Sequence, residues 1–169
     1  MVFRLASFWP ERPWAFWLLL AALAYFVWMA VRLGRIDIRS HLLPNRIIFP
    51  SYAVAGTLLA AAALAAGEPA GVVRTLTGGA ALWAGYLALR LAYPPGMGAG
   101  DVKLAGVLGM YLGWLNWESL LWATFAAFLM GGLWGVLLIA SRRGSGQTRI
   151  PFGPFMLAGT LATLLGTAG

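Results

Sequence analysis

The chain contains no cysteine. That excludes disulfides, thiolate nucleophiles and cysteine-ligated zinc. It contains one histidine, His41, so no multi-histidine metal site can be assembled. Charge is scarce as well: only 10% of residues are Asp, Glu, Lys or Arg. A soluble domain carries roughly 25%. With 61% hydrophobic residues and a mean hydropathy of +0.80, most of the surface must face lipid. The apolar runs are long and lack the ten-residue alternation of membrane strands. An all-α, polytopic transmembrane bundle is therefore expected rather than a barrel.

Six hydrophobic spans can be drawn, at approximately 14–33, 47–66, 72–93, 102–116, 119–140 and 152–168. A helix crossing a bilayer core needs about 20 residues. The fourth and sixth are short, so their ends should reach the interface or pack against neighbours. The first is longer than the 7–15 residues of a signal-peptide core and lacks a small-x-small cleavage site, so it reads as a retained helix. Trp9, Trp14 and Trp17 at its start suit an interfacial aromatic belt. No internal repeat is evident. The flexible polar stretch Arg142-Arg143-Gly144-Ser145-Gly146-Gln147-Thr148 gives no reason to divide residues 1–169 into more than one membrane-embedded domain.

The net charge of +7 does not point to nucleic acid, because the basic residues lie mostly in short loops between apolar spans. They read as topology determinants and contacts to anionic membrane lipids. Arg32, Arg35, Arg39, Arg46, Arg90, Lys103, Arg142, Arg143 and Arg149 fall on one side, and Arg4, Arg12 and Arg74 on the other. The positive-inside rule puts the first set in the cytoplasm and both termini outside. Glu11, Glu68 and Glu118 fall on the outer side. Asp37 and Asp101, the only aspartates, fall on the cytoplasmic side.

Ionisable residues at a membrane edge are costly and mark functional sites. Asp37 and Asp101 are 64 residues apart, room for one out-and-back helix pair, so the two can meet. Two carboxylates sharing a proton supply both the base and the acid needed to hydrolyse a peptide with water, without metal or cofactor. Gly98 and Gly100 permit positive φ and close backbone approach by a substrate strand. Asp101 can also cap the fourth helix. Lys103 either tunes Asp101 electrostatically or extends toward the interface. His41 is a proton relay or an interfacial polar residue. Pro44 and Asn45 end the loop before the second span. A proton-coupled transporter is an alternative reading, although that function favours carboxylates near mid-span on broken helices. A non-proteolytic assembly factor is another.

Gly98-Ala99-Gly100-Asp101 followed by Val102-Lys103-Leu104 resembles the Gly-x-Gly-Asp signature of the type IV prepilin peptidases, which are membrane aspartic proteases. Asp37 with Leu43-Pro44-Asn45 resembles the stretch around their first catalytic aspartate. Pro151-Phe152-Gly153-Pro154-Phe155 resembles their C-terminal segment. Three motifs in order are far more specific than one. The resemblance implies that Asp37 and Asp101 are the catalytic pair. It implies a prepilin or pseudopilin helix as partner, cleaved after its basic leader at the cytoplasmic edge of the prokaryotic cell (inner) membrane. It implies no cofactor and leaves the oligomeric state open. Many members also carry an N-terminal, cysteine-rich methyltransferase domain. This chain resembles the short, peptidase-only form, so methylation is not expected of it.

Overall fold

The computed structural model describes residues 1–142 and 150–166. The order is α1 (Val2–Ser7), α2 (Pro13–Ser40), α3 (Asn45–Ala65), α4 (Pro69–Ala92), a 3₁₀ turn (Pro94–Gly96), α5 (Ala99–Leu115), α6 (Trp117–Ala140) and α7 (Gly153–Gly166). There is no strand among the described residues. Helices α2 to α7 take up the six expected spans, and α1 is an addition that its short apolar stretch did not announce.

The largest boundary error is at the end of α2. The first span was expected to close near residue 33, with Arg32, Arg35 and Arg39 in a loop, but the helix continues to Ser40. Its buried positions Ala15, Leu19, Ala22, Phe26, Met29, Leu33 and Asp37 recur every three or four residues. That is one continuous helical stripe, and the arginines lie off it. At 1.5 Å per residue its 28 residues span about 42 Å, more than a hydrocarbon core of about 30 Å. The helix ends where His41 turns left-handed (φ 52°) and donates its N–H to the Asp37 carbonyl at 2.8 Å. Only residues 41–44 connect α2 to α3, and Pro44 is extended just ahead of Asn45. Likewise Arg46, Arg90 and Lys103 sit within the end turns of α3, α4 and α5 rather than in loops. Arg143, Arg149 and the polar stretch 143–148 lie outside the described residues.

Helix α5 is the axis of the bundle. Every residue from Leu104 to Leu115 is buried, which explains how a 17-residue helix serves: protein surrounds it. Its closest neighbour is α4, met through glycines. A Cβ added at Gly78 would lie 2.6 Å from the Gly109 carbonyl oxygen and 2.7 Å from the Gly113 Cα. Helices approach this closely in membranes when small residues line the contact. Tyr111 donates to the Ala22 carbonyl at 3.0 Å and Trp114 Nε1 to that of Leu59 at 3.0 Å, tying α5 to α2 and α3. Helix α6 is the opposite case, exposing Leu121, Trp122, Phe125, Leu133, Val136 and Leu137. Helices α2, α3 and α6 are each long and apolar enough to cross a membrane.

Candidate active site

Asp37 occupies the last position of the α2 stripe, one turn beyond Leu33, where the pattern calls for an apolar residue. It is 4% exposed. Its Oδ2 accepts the Gly153 backbone N–H at 3.1 Å. Gly153 opens α7, so this carboxylate lies where free N–H groups and the helix dipole favour negative charge. A Cβ on Gly153 would lie 2.7 Å from Asp37 Oδ2, so glycine is needed for the approach.

Asp101 is in the first turn of α5, half-buried, and its Oδ2 accepts the Gly98 N–H at 3.2 Å. The capping role anticipated for it is realised. Each aspartate thus lies at a helix N-terminus, Asp101 at that of its own helix and Asp37 at that of α7. Among the described residues, neither Oδ1 has a hydrogen-bond partner. The two carboxylates are within electrostatic reach of each other.

The surroundings are partly apolar. Leu43, from the α2–α3 connection, packs where a Cβ on Gly100 would be 2.8 Å from its Cβ, and one on Gly153 would be 3.5 Å from its Cδ1. The buried Tyr86 of α4 lies within electrostatic reach of Asp101 and stacks on Phe128 with ring centroids 5.9 Å apart. Phe128 in turn packs against Phe152 at 5.0 Å.

Other expected site residues distribute unevenly. Gly98 is extended at φ −68°, and Gly100 lies within α5. The only described glycine at positive φ is Gly67. The glycines before Asp101 therefore serve close approach and not left-handed backbone. What approaches Gly100 is Leu43 of the same chain. Pro44 ends the connection as the extended residue just ahead of α3, as expected, whereas Asn45 is already the first residue of the helix. Lys103 points away from Asp101: its Nζ donates to Asn45 Oδ1 at 3.0 Å and lies 5.4 Å from the centre of the Phe49 ring. The cation whose field reaches Asp101 is Arg90, which also donates to the Met97 carbonyl at 3.0 Å. His41 lies within electrostatic reach of Asp37. No group of three or more His, Cys, Asp or Glu side chains that could hold a metal occurs among the described residues.

Gly153, Leu43 and Arg90 were not singled out from sequence as site residues. The first two stand inside motifs that were noticed, Pro-Phe-Gly-Pro-Phe and Leu-Pro-Asn. Arg90 was read only as a topology charge.

Fold and site together define a helical membrane protein with a carboxylate pair at one end of its bundle. The chain belongs to the type IV leader peptidase family, whose model matches residues 15–136. It is 36% identical over 154 residues to a prepilin leader peptidase/N-methyltransferase of Aeromonas salmonicida, covering 89% of this chain and 50% of that protein. Similar proteins of the same description occur in Pseudomonas putida, 33% identical over 82% of this chain and 48% of that one, and in Pseudomonas aeruginosa, 29% identical over 86% and 49%. The chain spans about half the length of the curated relatives it matches. No solved structure matches it.

Proposed function

We propose that this chain is an aspartic endopeptidase that removes the leader peptide of type IV prepilins or pseudopilins, with Asp37 and Asp101 as its catalytic pair. The observation that supports the reading is that the chain's only two aspartates lie within electrostatic reach of each other, each held through one oxygen by a helix-start N–H and each with its second oxygen free of protein partners among the described residues. Family membership supplies the substrate class. Of the two activities in the relatives' names, the peptidase is the one assigned to these residues.

In this mechanism one ionised aspartate takes a proton from water, and the water oxygen bonds to the scissile carbonyl carbon. The other aspartate, protonated, donates to the carbonyl oxygen as it gains charge. The tetrahedral intermediate collapses: the second aspartate takes back a proton from one of its hydroxyls, the C–N bond breaks, and the proton taken from water passes to the leaving nitrogen. No covalent enzyme intermediate forms.

The basic side chains at the aspartate end, among them Arg32, Arg35, Arg39, Arg46 and Arg90, support a cytoplasmic location for the site in the cell membrane, with the termini on the opposite side. The substrate's apolar helix then lies in the bilayer beside the bundle, and anionic lipids contact the arginines.

The test is cleavage of a prepilin by the purified chain in lipid vesicles, followed by mass analysis of both products. Cutting at the leader junction that is lost in Asp37→Asn and in Asp101→Asn supports the reading. Cutting undiminished in either variant overturns it.

A further inference from the structure

Leu43 has a position that the peptidase reading leaves unexplained. Its side chain lies against the backbone positions next to both the Asp101 helix start and the Asp37 anchor. On one side its Cβ, Cγ and Cδ1 lie 2.8, 3.4 and 3.3 Å from where a Cβ of Gly100 would stand, next to Asp101. On the other its Cδ1 lies 3.5 Å from where a Cβ of Gly153 would stand, and that same point is 2.7 Å from Asp37 Oδ2. The isobutyl group therefore occupies the hollow that Gly100 opens in α5, and it reaches ordinary van der Waals distance of the Gly153 position, where Asp37 Oδ2 is the closest neighbour. Leu43 is half-buried and packs against the core. Its backbone sits in a four-residue connection between the left-handed His41 and Pro44, so it has little freedom to withdraw.

A scissile peptide must bring its carbonyl carbon to both carboxylates, and its adjoining side chain must fit in whatever space remains. We propose that Leu43 determines specificity for this site: its side chain, packed against the backbone beside each aspartate, limits the size of the substrate residue beside the scissile bond. The inference rests on the peptidase reading. It does not require Leu43 to take part in the chemistry, because a hydrocarbon cannot move a proton. Its effect is steric, so it shows in discrimination between substrates rather than in rate alone.

The experiment uses three otherwise identical prepilins with Gly, Ala or Val immediately before the cut. They are presented in lipid vesicles to the wild-type chain and to Leu43→Ala, Leu43→Met and Leu43→Phe, and kcat/KM is read for each. For Leu43→Ala, the Ala-to-Gly and Val-to-Gly ratios of kcat/KM are expected to rise at least about tenfold, the discrimination that a missing methyl or two confers. Leu43→Phe is expected to lower both ratios, and Leu43→Met, similar in volume, to keep them within about threefold of wild type. Ratios unchanged in both Leu43→Ala and Leu43→Phe, with cleavage still dependent on Asp37 and Asp101, overturn the inference and leave the peptidase reading intact. Cleavage that survives Asp37→Asn or Asp101→Asn overturns the peptidase reading itself. Because each ratio compares substrates on one protein, partial loss of folded enzyme in a variant cancels.

Discussion

Gly153 donates its backbone N–H to Asp37 Oδ2 at 3.1 Å, across 116 residues of sequence. This contact joins the start of α7 to the end of α2 and fixes one oxygen of a buried carboxylate. The other oxygen has no hydrogen-bond partner among the described residues. Any Cβ at position 153 would stand 2.7 Å from Oδ2. Gly153→Ala is therefore expected to displace the carboxylate and lower kcat/KM by about 10- to 100-fold, the scale of a sub-ångström to 1 Å misplacement. Helical content by circular dichroism should be retained. Wild-type turnover in Gly153→Ala would show that Asp37 does not need this anchor.

Two cations lie near the start of α5, and they are not equivalent. Arg90 acts on Asp101 through space and holds the Met97 carbonyl just ahead of Gly98. Lys103 faces Asn45 and Phe49. Arg90→Ala is expected to reduce cleavage several-fold more than Lys103→Ala when the two are assayed side by side. The reverse order would return Lys103 to the role its closeness in sequence suggested.

The α4–α5 contact is expected to dominate stability. A Cβ at Gly109 would meet the Gly78 carbonyl, which is backbone and cannot rotate away. Gly109→Ala should cost about 1–3 kcal/mol, as overpacking does, and lower the melting temperature in detergent. By contrast, Gly132 has open space around its missing Cβ, and Gly132→Ala should leave the melting temperature the same or raise it slightly, since alanine is the better helix former.

At the end of the bundle away from the aspartates, Glu68 accepts from Arg4 Nη2 at 2.7 and 2.8 Å and lies 3.8 Å from Arg74 Nη2. Its side chain is 32% exposed and that of Arg4 25%, so screening limits the pair's worth. Glu68→Gln should change unfolding free energy by less than about 1 kcal/mol and leave prepilin cleavage unaltered. A large loss of cleavage would mean that this end communicates with the site.

The helical bundle was legible because apolar runs near 20 residues leave few other solutions in lipid. The aspartates were legible because a chain with so little charge makes each carboxylate conspicuous. What hydropathy concealed was the end of α2. Arg32, Arg35 and Arg39 lower the local hydropathy, yet Met29, Leu33 and Asp37 keep the helical stripe unbroken, and packing follows the stripe. The role of Gly100 was legible as close approach, but not its partner: Leu43 is 57 residues away, and nothing local links them. Gly153 was visible only as part of a motif, because a backbone N–H leaves no mark on side-chain chemistry. The burial of α5 on all sides is consistent with its short length, and its glycines at 109 and 113 mark the face that meets α4, while Gly106 faces Tyr52 of α3.

The central claim is that Asp37 and Asp101 act as one unit on a single water. The most direct measurement is kcat/KM for prepilin cleavage by Asp37→Asn, Asp101→Asn and the double variant, each reconstituted in the same lipid. Residues that act together are non-additive. Each single variant is therefore expected to lose about 10³-fold or more, and the double variant to lose no more than the worse single. Losses that multiply in the double variant, or a single variant that cleaves at the wild-type rate, would contradict the account.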